Sequence, residues 1–171
     1  MNKSFAAIIA LLAGILLCAP LVMAGAEWHT VTGHDGAFTV EMPSAPRHVT
    51  DVEKTETGGT ILKHFYLARR GAELFVASVA IYPAELDLSQ FRPLMQRALE
   101  AVGPEMLASG KWDTITFFHH HGYPGVSGIG VTKDGNSARL VVIQKGNKAY
   151  SMLHTGTGRD FQRFFETLRI R

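Results

Sequence analysis

The sequence has a single cysteine, Cys18, among its 171 residues. This cysteine falls in an N-terminal segment that we expect to be removed, so the remaining chain cannot form an internal disulfide. An extracytoplasmic domain without disulfides must be stabilised by its hydrophobic core. About 145 residues remain, and a chain of that size buries roughly 68–70% of its unfolded surface. Residues 27–171 are therefore predicted to form one domain.

Long hydrophobic runs are also scarce, and the main one is Phe5 to Leu17. It is too short for an ordinary membrane-spanning helix, which needs about 20 apolar residues. Together with the positive start at Lys3 and the small residues around Ala26, it has the pattern of a secretory signal. We expect residues 1–26 to be a signal peptide cut after Ala26, with cleavage after Ala24 as the alternative.

This segment allows two other interpretations. An uncleaved anchor would have to extend its apolar stretch through Pro20 to Met23. A lipoprotein would use Cys18, but that processing requires a small residue before the cysteine, and Leu17 occupies that position. The cleaved signal is favoured over both. It predicts a periplasmic or secreted protein with no stable membrane span after cleavage.

An excess of charge of either sign is lacking too. The whole chain carries a formal charge of +2, and residues 27–171 carry +1. No run of lysines or arginines is present, so composition gives no case for a nucleic-acid partner or an anionic lipid surface. The expected partner is an unidentified protein or small ligand.

The sequence does contain strong two-residue alternation, as in Phe38, Val40 and Met42, the pattern of a half-buried strand. Asp134-Gly135 is a strong hairpin signal. Predicted strands cover Trp28–Thr32, Phe38–Met42, a polar edge strand His48–Thr57, Ile61–Ala68, a central strand Leu74–Tyr82, Trp112–Phe118, Val126–Thr132, Ala138–Gln144 and Lys148–Leu153.

Helical spacing appears twice. Apolar residues from Phe91 to Val102 form one stripe of an amphipathic helix, with Asp87 or Ser89 as its cap and Gly103-Pro104 as its end. Phe161 to Leu168 forms a second helix, begun by Thr157 or Asp160 as a cap. Short turns between most strands imply an antiparallel sheet. The fold class is therefore α+β, with an antiparallel β-sheet whose apolar face is covered by two helices.

The order of these elements resembles the PsbP-like fold, named for an extrinsic subunit of photosystem II. The likeness rests on the strand and proline of Gly36–Pro43, the hairpin strands, the first helix, further strands and the closing helix. The resemblance implies a binding or assembly factor rather than an enzyme, and some members bind metal ions. No residue of this chain can be assigned a family role from it.

His119-His120-His121 is the most conspicuous cluster of potential ligands. If the three lie on a strand, His119 and His121 project to one face and could hold a divalent metal. We name them as the candidate metal ligands, with His64 or His154 as a possible third. The alternative is a hydrated strand end before a turn, or a pH-responsive surface. No other cofactor is expected.

Catalytic motifs are weak. Gly125-Val126-Ser127-Gly128 falls one residue short of a nucleophile elbow, and an ordinary strand serine explains Ser127. The Gly156–Arg159 segment could bind an anion at a helix start, although helix capping explains it as well. We therefore expect a non-enzymatic exported binding or accessory domain. A metal-binding protein using His119 and His121 is the first alternative, and a small hydrolase is the second.

Overall fold

The computed structural model describes residues 27–55, 58–84 and 91–171. The predicted signal peptide and the predicted caps Asp87 and Ser89 lie outside these ranges. Within them no helix is both long and apolar enough to cross a membrane. The strands are β1 (His29–Thr32), β2 (Phe38–Met42), β3 (Arg47–Lys54), β4 (Thr60–Arg70), β5 (Glu73–Ile81), β6 (Thr114–His120), β7 (Tyr123–Val131), β8 (Ser137–Lys145), β9 (Lys148–Gly156) and β10 (Arg169–Ile170). The helices are α1 (Phe91–Met106) and α2 (Phe161–Glu166).

Seven strands form one antiparallel sheet in the order β3-β4-β5-β9-β8-β7-β6. The predicted antiparallel sheet is confirmed, because every neighbouring pair in this order is antiparallel. The polar strand β3 lies at one edge and the apolar strand β5 lies inside, as their compositions predict. In the inner strands, residues that point to either face of the sheet are buried, so both faces are covered.

A second, three-stranded sheet has the order β1-β2-β10. The sequence did not predict it, because β10 contains two residues and shows no alternation. Ile170 of β10 pairs with Phe38 of β2, whereas Val31 of β1 pairs with Val40 on the other side. This small sheet therefore joins the start of the described chain to its last strand.

The two helices pack against opposite faces of the large sheet. Residues 95, 99 and 102 of α1 share a buried cluster with Val126 and Val142. Phe161 and Phe164 of α2 lie on the other face, together with the small sheet and Phe75. The expectation that both helices cover one apolar face is wrong, because the inner strands bury apolar side chains on both faces and each face needs a cover.

Helix α1 continues past its predicted end at Gly103-Pro104 and stops at Met106. Pro104 lacks the N–H that would bond to the carbonyl four residues earlier, but it lies in the last turn, where little helix follows. Gly103 has a packing role, because a Cβ there would lie 2.6 Å from the Gly110 carbonyl oxygen. The glycine allows the following loop to return against the helix, where Trp112 Nε1 donates to the Leu99 carbonyl at 2.8 Å.

A buried lysine lies where β3 pairs with β4. Lys63 is 4% exposed, and its Nζ lies 3.4 Å from Asp51 Oδ2 and contacts the carboxylate of Glu53. A buried ammonium is tolerated only when it is paired, and here two carboxylates of the edge strand pair with it. Burial, with the Glu53 charge adding to it, raises the pKa of the neighbouring Tyr82 to about 12.

Candidate functional site

The β6–β7 hairpin ends in a tight turn at His121 and Gly122. Both residues have positive φ, 49° and 86°, as a two-residue hairpin turn of the favoured handedness requires. His120 pairs with Tyr123 as the last register pair of the hairpin. β6 therefore ends at His120, and His121 lies outside the strand.

A cavity of about 200 Å³ opens between this hairpin turn and the strand β10. It is lined by His120, His121, Tyr123, Arg169 and Ile170. The guanidinium of Arg169 is held by its Nη1, which donates to the carbonyls of Glu166 at 2.6 Å and Leu168 at 2.9 Å. The cavity thus combines a fixed guanidinium, two imidazoles and a phenol with one aliphatic side chain.

His120 is the most enclosed polar group of this cavity. Its ring packs on Phe165 with 5.2 Å between centroids. Its Nε2 is buried and has no hydrogen-bond partner among the described residues. Burial lowers the pKa of His120, the charges of His121 and Arg169 lower it further, and the Leu168 backbone opposes them. These effects together favour the neutral imidazole.

The structure does not give His119 and His121 the common strand face that the sequence predicted. That expectation is wrong because His121 adopts a left-handed conformation in the turn. His119 is exposed on the strand, whereas His120 and His121 lie with their rings 4.4 Å apart. The structure brings together His120 and His121 rather than the predicted pair.

The two proposed third ligands lie on distant strands. His64 is on β4, five strands from β6, and His154 is on β9, three strands away. At about 4.8 Å per strand these separations are about 24 and 14 Å, well beyond an imidazole–metal bond. Within the described ranges no three His, Cys, Asp or Glu residues are placed to hold a metal ion. Metal binding by His119 and His121 stays a prediction.

A separate stack of rings joins the small sheet to the edge of the large one. The ring of His34, in the turn between β1 and β2, lies 3.9 Å from that of His64 and nearly parallel to it. His48 Nε2 lies 3.2 Å from His64 Nδ1, and the His48 ring stacks on Tyr66 at 4.6 Å. Burial lowers the pKa of His64, with His34 and His48 adding to the effect and Asp35 opposing it.

His154 is the most deeply buried titratable group, with 0% exposure. Its ring lies 4.6 Å from that of Phe75, and its Nε2 lies 3.9 Å from Glu73 Oε1. Burial lowers the pKa of His154; Glu73 opposes this shift, whereas Arg139 and Arg70 add to it. Burial therefore favours the neutral form of this imidazole.

The Gly156–Arg159 loop binds an anion that belongs to the chain itself. Thr157 donates to Glu73 Oε1 from its backbone N at 3.1 Å and from its Oγ1 at 2.7 Å. Asp160 occupies the cap position of α2 without a side-chain capping bond, and pairs with Arg70 instead. Burial alone would raise the pKa of Glu73, but the bonds from Thr157 and the charges of His154 and Arg70 hold it below its usual range.

Ser127 lies in the middle of β7, paired with Thr116 and Val141. A nucleophile elbow requires a sharp strand-to-helix turn, which this position does not have. The nearest histidine of the adjacent strand, His119, is three residues beyond Thr116, or about 10 Å along the strand. The structure therefore places Ser127 away from the histidines with which the hydrolase hypothesis paired it.

Arg169 is the residue of this cavity that sequence reasoning missed. Nothing in the local sequence marks it, because it reaches the hairpin turn only through the pairing of β10 with β2. The sequence did contain a signal for the ring stack. A hairpin is predicted from the edge strand through the Gly58-Gly59 turn to the next strand. Its register places Thr50 opposite His64 and His48 opposite Tyr66.

The fold is that of a known class. The chain is similar to the solution structure of cyanobacterial PsbP (CyanoP) from Synechocystis sp. PCC 6803. The TM-score is 0.57 at 11% sequence identity, and the likeness covers 91% of this chain and 99% of that one. The chain therefore has a PsbP-like fold, as its element order predicted.

No protein-family model matches the sequence. No curated protein matches it at a significant level either. At this low identity the structural likeness establishes the fold alone, and the function must be argued from the surface of this chain.

Proposed function

We propose that this protein is an exported, non-enzymatic binding or accessory domain. The observation that carries the proposal is the likeness to cyanobacterial PsbP, which spans 99% of that chain. The similarity is to a whole protein rather than to a shared motif. The resemblance implies a role in binding or assembly, and the N-terminal sequence supports export.

The surface of the domain supports binding in a second way. The cavity beside the β6–β7 turn is open to solvent and lined by polar groups from three elements. Convergent polar groups in a concavity are the usual form of a ligand site. The Arg169 side chain is held by backbone carbonyls, so the guanidinium is positioned before any ligand arrives.

Export is tested by locating the protein and reading its first residue. Cells expressing the full chain are separated into cytosolic, membrane and extracytoplasmic fractions, and the intact mass of the recovered protein is measured. We expect an extracytoplasmic protein beginning at Glu27, or at Gly25 if the alternative cleavage is used. A cytosolic protein that still begins at Met1 would overturn export.

The accessory role is tested by the size of the native assembly. Extracytoplasmic and membrane extracts are separated on a native gel before and after a high-salt wash. We expect part of the protein to migrate in an assembly larger than the 18.7 kDa chain. A protein that is always monomeric, and whose hydrolytic activity on a model ester is lost in Ser127→Ala, would favour the hydrolase hypothesis instead.

A further inference from the structure

The cavity beside the β6–β7 turn contains one cation, Arg169, and two imidazoles without a matching negative group. Arg169 comes from β10, whereas His120 and His121 come from β6 and its turn. Lys145 on β8 lies next to the cavity, because its Nζ is 4.9 Å from the centroid of the Tyr123 ring. No carboxylate lines the cavity, and within the described ranges none pairs with Arg169, His120 or His121.

The fixed positions of these groups favour a ligand with oxygen acceptors. Nη1 of Arg169 is used by two backbone carbonyls, which holds the guanidinium in place, and no side chain of the described ranges forms an ion pair with it. A planar guanidinium recognises carboxylate and phosphate oxygens through paired bonds. Ile170 and the face of Tyr123 give the same cavity an apolar wall.

We propose that this cavity binds a small organic anion, an oxyanion group carried on a compact apolar body, with the guanidinium of Arg169 contacting the oxyanion. The proposal rests on the proposed function, because it assigns a ligand class to the binding domain. A volume of about 200 Å³ accommodates an anion of the size of benzoate.

The test is calorimetric titration of the purified protein at low salt and neutral pH with benzoate and benzenesulfonate, which both carry one negative charge there. We expect saturable binding of both probes that weakens as salt is added, because salt screens the attraction between an exposed guanidinium and an anion. Inorganic sulfate is expected to bind more weakly, because it lacks the apolar body.

Two variants locate the site. Arg169→Gln is expected to weaken binding by about tenfold or more, since a charge-assisted bond is lost. Arg159→Gln, which removes an equally exposed arginine outside the cavity, is the matched control and should leave affinity unchanged. His121→Asn keeps a residue that tolerates positive φ and should reduce affinity if Arg169→Gln does not fold.

Amide chemical-shift mapping on the unmodified protein gives a readout that needs no variant. Shifts confined to residues 120–123 and 169–170 would support the proposal. Equal weakening by Arg159→Gln, shifts spread over the surface, or no binding by either probe would overturn it. These failures would leave the fractionation and native-gel results untouched, so loss of the anion site and loss of the proposed function are distinguishable.

Discussion

Replacing Lys63 by methionine removes the cation between two carboxylates of the edge strand. The Lys63 to Asp51 distance of 3.4 Å gives a gross attraction of about 5 kcal/mol at an effective dielectric constant of about 20. Breaking a fully buried pair costs about 3–5 kcal/mol. The side chains of Glu53 and Asp51 are 16% and 30% exposed, so water stabilises them in part. We expect Lys63→Met to lower the free energy of unfolding by about 2–3 kcal/mol.

The assay is equilibrium denaturation in urea at neutral pH, with Lys54→Met as the control. Lys54 lies on the same edge strand and is exposed, so its replacement should change stability by less than about 0.5 kcal/mol. A triple variant, Lys63→Met with Asp51→Asn and Glu53→Gln, removes the uncompensated charges and should regain most of the loss. A Lys63→Met variant within about 0.5 kcal/mol of the original protein would refute this account of the buried ammonium.

Three further predictions follow from the core. Because burial lowers the pKa of His154, the unfolded chain binds the proton that the folded chain rejects, so stability falls as pH decreases below about 6.5. His154→Gln should flatten this dependence in denaturation curves between about pH 5 and 7.5, and an unchanged slope would contradict the assignment. Gly103→Ala should lower the melting temperature, because its Cβ would meet the Gly110 carbonyl. Alanine favours helices over glycine by about 1 kcal/mol, so a rise in melting temperature would show that only helix propensity matters at this position. Gly128→Ala places a Cβ 2.7 Å from the Trp112 ring and should cost about 1–3 kcal/mol, measured by urea denaturation against Ser127→Ala.

Most of the strands could be predicted because each carries its own alternation and is bounded by turn residues. The strands β8 and β9 illustrate this, since the turn at Gly146 between them is marked in the sequence itself. The end of α1 could not be predicted in the same way. Gly103 has the residue type of a helix stop, but its role depends on the loop at Gly110, which is visible only in three dimensions.

The candidate site was predicted only in part. The histidine cluster was recognised from composition, but the strand alternation that favoured His119 and His121 ends at His120. Positive φ at His121 is a property of the hairpin turn. Arg169 joins the cavity through a pairing between β10 and β2, a contact between residues far apart in the sequence. Local patterns do not contain information of that kind.

The small sheet has a consequence for how the chain reaches its native state. β2 has β1 on one side and β10 on the other, so the last strand completes a sheet that the first strand begins. Contacts of such long range form late and slow folding. The small sheet can therefore close only once residues 169–170 are available to pair with β2.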